Sequence, residues 1–197
     1  MANYLCIYPA PDSHIEFICA HPESLWQYVE GQRPNVSESK QAPPSVWQHL
    51  AGMFRSAPGR KVPVDWPSGE RKPIGPEINH RNVELHHLIL NGTAELVDGS
   101  GSIFQTWFAK SHSAIDITGD RDYFAFKSNK LPALAELALR IDGPTVKVRF
   151  TQWLRNNGDR YEPSDEECNE IAKEYQSFAE SLREAVHKGY GLIWVSQ

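Results

Sequence analysis

Apolar residues recur along this chain in two rhythms, one of helices and one of buried strands. The strongest helical rhythm lies near the C-terminus. There Cys168, Ile171, Tyr175, Phe178, Leu182 and Val186 repeat every three or four positions and share one face over about five turns. Ser164 and Glu167 ahead of it have the spacing of a capping box, and Gly189 suits the left-handed position just past a helix end. The following GLIWV, Gly191 to Val195, has consecutive apolar side chains and predicts a strand buried on both faces. YLCIY, Tyr4 to Tyr8, predicts another, ended by Pro9 and Pro11. In TVKVRF the apolar Val146, Val148 and Phe150 alternate with Lys147 and Arg149, the period of a half-exposed strand.

Shorter helices fill the rest. Ser13 and Glu16 have capping-box spacing before a helix through Cys19. Pro22 fits the first turn of a second, with Leu25, Trp26 and Val29 on one side and Gly31 closing it. Ser102 and Gln105 bracket the start of a third, in which Ile103, Phe104, Trp107 and Phe108 form an apolar stripe. A polar turn, Gly119 to Asp122, precedes the extended Tyr123 to Phe126. From Asn129 a helix places Leu131, Leu134, Ala135, Ala138 and Ile141 on one face until Gly143-Pro144 stops it. Between Gly31 and Pro76 lie eight of the fourteen prolines, and only Ser45 to Phe54, with Val46, Leu50 and Phe54, keeps a helical period. These elements predict one α+β domain over residues 1–197. A few-stranded mixed sheet packs with several amphipathic helices, and a long proline-rich insertion runs from about residue 31 to 76.

Composition supports a sizeable core: of 197 residues 40% are hydrophobic and 23% charged. The formal charge of −5 and the scattered Lys and Arg side chains argue against nucleic acid as a partner. Cys6, Cys19 and Cys168 form no C-x-x-C pair, so buried, reduced thiols are expected. The N-terminus lacks the basic start and apolar stretch of a secretory signal, and no run of about 18 apolar residues occurs. A soluble, cytoplasmic protein without membrane association is the expectation.

Candidate chemistry is thin. In NVELHHLILNGT, Asn82 to Thr93, a helix would align Glu84 and His87 with the preceding His80 on one stripe, the geometry of a metal site. Leu85, Leu88 and Ile89 lie opposite, so that stripe is expected to face water, and the more specific His-Glu-x-x-His pattern is absent. No metal, cofactor or catalytic residue is therefore expected. His86, nearer the apolar boundary, is a pocket candidate. Asp116, Asp120, Arg121 and Asp122 are another, because paired carboxylates can hold a proton for acid–base work, although such a cluster equally well caps a turn. Gly99 to Ile103 lacks the phosphate-binding lysine of a P-loop, and Gly-x-Ser-x-Gly is missing. Trp66, within the proline-rich excursion, is the candidate partner-binding side chain.

Several stretches together carry a resemblance: HPESLWQYV, LHHLILNGT, DYFAFKSNKLPALAELALRI and EAVHKGYGLIWVSQ. In this order they resemble the bacterial YfbM-like family of uncharacterised proteins across nearly the whole chain. The chain departs from the family pattern in having Asn82-Val83-Glu84 where a Trp is common, in reaching Gly92 one residue late, and in having ITGDRDYFAF where relatives show a Gly-rich turn leading to a Tyr-Gly-Pro-Ala-Arg-like segment, without that segment's Pro and Arg. The resemblance implies a compact mixed α/β domain in bacterial cytoplasm with no established reaction. It also implies immunity-type roles for some members, whose genes lie beside secreted toxins. The expected function is thus protein binding, as an immunity or inhibitor protein neutralising a toxin. The alternative is a small-molecule enzyme or sensor whose pocket joins His86 to the Asp116–Asp122 turn.

Overall fold

The computed structural model describes residues 4–35, 61–109, 113–120, 122–159 and 161–197. The expected helix at Ser45–Phe54 and the candidate Arg121 lie outside these residues. Two compact units are present, one of Met1–Asp12 with Pro73–Gln197 and one of Ser13–Lys72.

The larger unit is built on a five-stranded sheet: β1 Tyr4–Ala10, β2 Ile74–Asn79, β3 Ile115–Asp116, β4 Tyr123–Phe126 and β5 Gly191–Ser196, in the order β2-β1-β5-β4-β3. The α+β class is borne out, and every pairing is antiparallel where a mixed sheet was expected. β5 is central, which is why GLIWV is apolar at consecutive positions. Leu192 and Trp194 enter the main core, while Ile193 and Val195 are buried on the other face. Trp194 stands directly between Ile7 and Phe124 on its two neighbouring strands.

Pro9 does not end β1 but continues it opposite Leu192. Tyr4 exchanges backbone hydrogen bonds with Gln197, so by alternation Cys6, Tyr8 and Ala10 bond towards β5 while Leu5, Ile7 and Pro9 face β2. Pairing with β2 stops at Ile7↔Ile74, so the N–H that Pro9 lacks has no acceptor waiting. Sequence reading also missed β2, which lies where the proline-rich excursion was expected to end. As an edge strand it tolerates Pro76.

The helices of this unit are α3 Val83–Asn91, α4 Leu131–Leu139, α5 Gly143–Asn156 and α6 Asp165–His187; α4 and α5 both pack on α6. The α5 helix replaces the strand expected at TVKVRF. Asp142 accepts from Thr145 N (2.9 Å) and Pro144 occupies the first turn, so Gly143-Pro144 starts a helix instead of stopping one. Val146, Phe150 and Leu154 are buried at i, i+4 and i+8, and Val148 faces out. Residues at i and i+4 share a face in either structure, so the short window looked alternating; the exposure of Val148, which a strand would bury beside Val146 and Phe150, separates the two periods.

The expected helix from Ser102 is a 3-10 stretch, Gly99–Trp107. Ser102 does not cap it. Its hydroxyl donates to Gly99 O (2.7 Å) and that of Thr106 to Ile103 O (2.8 Å), each three residues back, which favours the tighter turn. Ile103 and Phe104 reach the core, while Phe108 is partly exposed. The last helix matches expectation fully: Ser164 and Glu167 form a reciprocal capping box, and Gly189 adopts φ +67° beyond the end.

The smaller unit contains most of α1, Asp12–Ala20, and α2, Leu25–Glu30. Helix α1 begins before Ser13, so Ser13 is not its cap. Asp12 instead accepts from the Ser128 backbone N–H and hydroxyl, both at 2.8 Å, at the start of the turn leading to α4. In α2, Tyr28 takes the buried place expected of Trp26, which is 42% exposed.

Candidate functional site

The ambiguity of NVELHHLILNGT is resolved by α3. It is a core helix buried on nearly every side, with Glu84 its one exposed position. The expected solvated stripe fails at His87, which is 1% exposed. Its Nε2 donates to Glu95 O (2.9 Å), leaving Nδ1 to accept from the Asn91 amide (3.3 Å). Helix burial from more than one side is a tertiary effect, invisible to a pattern that assumes one dry face. Among the described residues no group of three or more His, Cys, Asp or Glu side chains is arranged to hold a metal ion.

His86 is fully buried. Its Nε2 meets Glu174 of α6 at 2.8 Å, and its ring stacks on Phe104 at 5.3 Å. Truncating Glu174→Ala leaves that ring nitrogen without a partner in a dry site, and a loss of about 1–3 kcal/mol is expected, with Glu174→Gln losing less. Thermal unfolding of the two variants checks this; equal Tm values for Glu174→Ala and the parent would reject the bond as a stabilising one.

The polar turn is a separate feature. Asp116 accepts from Gly119 N (2.8 Å), and Asp120 accepts from Asp122 N (3.1 Å) and from the Thr118 hydroxyl. These bonds, the hydroxyl first, hold the Asp120 carboxyl below the usual carboxylate range. Tyr123 beside it is pushed up, by burial first and then by Asp122 and Asp120. Among the described residues no hydrogen bond or ion pair links His86 to Asp116, Asp120 or Asp122.

Trp66 is not at the surface. It is 6% exposed inside the smaller unit, its indole donating to Gln32 O (2.8 Å) and its rings touching His14, Phe17 and Tyr28 at 5.2–5.6 Å. A tryptophan among prolines was expected to reach a partner; the loop instead folds it against α1 and α2, where its apolar area is removed from water. His14, in the same cluster, bonds Asp65 at 3.0 Å.

Sequence reading missed a connected group of rings in the larger unit. Phe104 touches His86, Phe178 and Trp194; Trp107 touches Trp194 and Phe124, with His80 at 6.4 Å. Five buried polar atoms of this group and the adjoining Tyr175 have no hydrogen-bond partner among the described residues: His80 Nε2, His86 Nδ1, Trp107 Nε1, Tyr175 Oη and Trp194 Nε1. Folded proteins leave few such atoms per hundred residues, so their concentration in one aromatic run is unusual. The sequence announced its members separately, Phe104 and Trp107 on one apolar stripe, Trp194 in a buried strand and Tyr175 and Phe178 at helical spacing, but not their meeting. Tyr175 also lines a cleft of about 480 Å³ where α4, α5 and α6 meet.

No family model and no curated protein sequence matches the chain. Among solved structures, the Escherichia coli protein YfbM, described as a protein of unknown function, aligns over 100% of both chains with a TM-score of 0.51 and 13% identity. No helix among the described residues is long and apolar enough to cross a membrane. At that identity the likeness speaks for architecture alone, and on that evidence the chain has the fold of YfbM, as its dispersed motifs led us to expect.

Proposed function

We propose that the protein acts by binding a basic protein partner through the outer side of α6, as a bacterial immunity or inhibitor protein that neutralises a toxin. The observation that carries this reading is the charge of one element. Helix α6 holds seven carboxylates against two Lys and Arg side chains, an excess equal to the formal −5 of the whole chain. Several of these acids are already engaged: Glu167 in the cap, Glu174 with His86, Glu180 with Arg183 and Glu184 with Lys188. Glu166 and Glu170 are exposed and form no ion pair among the described residues, which leaves negative potential at the first half of the helix. Such a face accelerates encounter with a cationic surface and disfavours acidic competitors. Of the side chains first suspected of acid–base work, His86, Asp116 and Asp120 are, by contrast, engaged in internal bonds.

The test uses the immobilised chain and a Glu166→Lys, Glu170→Lys variant, exposed to extract and culture medium of the native bacterium. One recurring cationic protein should be retained by the parent, at least about 10-fold less by the variant, and released as salt approaches about 0.5 M. No recurring protein, or one held equally by both forms, would remove the basis of the proposal.

A further inference from the structure

Asn-Gly occurs twice in the chain, and the fold treats the two pairs differently. Both close a helix, Asn91-Gly92 at the end of α3 and Asn157-Gly158 at the end of α5. In this dipeptide the glycine nitrogen can attack the asparagine side-chain carbonyl, since no Cβ crowds its approach. The outcome depends on whether the carboxamide and the peptide after it can turn.

Asn91 is held. Its half-buried carboxamide donates from Nδ2 to His87 O (3.0 Å) and Gly101 O (2.9 Å) and also faces His87 Nδ1 at 3.3 Å, which ties the end of α3 to the 3-10 stretch. Packing there is tight, because a Cβ on Gly101 would come within 2.2 Å of Asn91 Oδ1. The Gly92 N–H donates to Leu88 O (2.8 Å), and the Arg149 guanidinium, which also donates to Ile89 O, lies against Gly92. Asn157 is placed otherwise. It is exposed together with Gly158 and Asp159, and among the described residues its Nδ2 has one bond, to Trp153 O (2.9 Å). The Gly158 N–H reaches Arg155 O at 3.1 Å and the Asp159 N–H reaches Leu154 O at 3.0 Å, bonds of a last turn that opens at far lower free energy than a core. At ψ 4° the Gly158 nitrogen is turned away from Asn157 Cγ; once the turn opens it can rotate into line, and no atom lies within 4 Å of the place a Gly158 Cβ would take.

We propose that Asn157 is a modification site at which the folded chain deamidates spontaneously, and that the packing of α3 protects Asn91 from the same reaction. The Gly158 nitrogen, losing its proton to solvent base, bonds to Asn157 Cγ; the Cγ–Nδ2 bond breaks and ammonia leaves. Water then opens the succinimide at either carbonyl, giving aspartate or isoaspartate. The new carboxylate cannot donate to Trp153 O, and its charge stands at the negative end of the α5 dipole. The last turn of α5 loosens as a result.

The full chain, kept folded in mildly alkaline buffer and sampled over weeks, is mapped by proteolysis and mass spectrometry, with fragment ions separating Asn157 from Asn156. The peptide carrying Asn157 should gain one mass unit and resolve into two products, and Asn91 should convert at least about 10-fold more slowly. In denaturing guanidinium the two rates should converge to within about threefold, since neither pair then has a folded neighbour. Asn157→Gln, whose cyclisation needs a larger ring, should stop conversion at that position. The proposal fails if Asn157 stays unconverted in the folded chain, if Asn91 converts there equally fast, or if Asn91 remains slow in guanidinium and so owes nothing to its packing.

Discussion

Trp194→Ala is expected to cost about 3–5 kcal/mol, a large share of the roughly 5–15 kcal/mol by which a domain is stable. The residue is fully buried at the centre of β5, faces Ile7 and Phe124 across the two neighbouring strands, and touches Phe104, Trp107 and Phe178. Truncation leaves a cavity where the sheet meets the helices, and central strands cannot close it without breaking their ladders. Trp194→Phe is the informative companion. It keeps a ring and discards an indole N–H that has no partner among the described residues, so the lost volume is partly offset and about 1–2 kcal/mol is expected. Equilibrium unfolding in urea measures both. A loss below about 1 kcal/mol for the alanine variant would mean that the ring run is not the structural centre described above.

Gly31→Ala is the second large effect, and it acts through the backbone. Gly31 closes α2 at φ +68°, where an L side chain costs roughly 1–2 kcal/mol by itself. A Cβ there would also strike the backbone of Gly69, which cannot swing away as the end of a side chain could. The two strands of chain are held nearby by the Arg71 N–H to Val29 O bond (2.7 Å) and by the Trp66 indole on Gln32 O. A cost of at least about 2 kcal/mol is therefore expected, localised to the smaller unit. Hydrogen exchange of the Arg71 amide and the Trp66 indole should quicken by roughly 10-fold or more, while amides of β5 keep their protection. Unchanged exchange at both positions would show that the loop accommodates a methyl group.

Much of the architecture was readable from periodicity. The terminal helix with its capping box, the two doubly buried strands and the extended Tyr123–Phe126 are all where the pattern placed them, because each is long or apolar enough for one period to dominate. Reading failed where a window was short or an assumption about solvent was wrong. TVKVRF was too short to separate a strand from a helix, and IGPEIN was hidden by its proline although an edge strand accommodates one. The candidate site was less legible than the fold. His86 was expected nearer the apolar boundary and is fully buried, its bond to Glu174 spans 88 positions of sequence, and Trp66 was assigned to a surface that it does not reach.

Side-chain order along the chain was enough to dictate most helical segments (though not α5), where the last helix starts and stops, and which strands lie deepest, since local hydrogen bonding and the burial of a periodic face act over a few residues. Long-range packing alone chose the partner of each polar group. It enclosed His87 on the side expected to be wet, drew Trp66 inward, set Glu174 against His86 and left the Tyr175 hydroxyl without a partner among the described residues. Those choices depend on which surfaces meet, and the meeting surfaces come from segments tens of residues apart, so no local pattern encodes them.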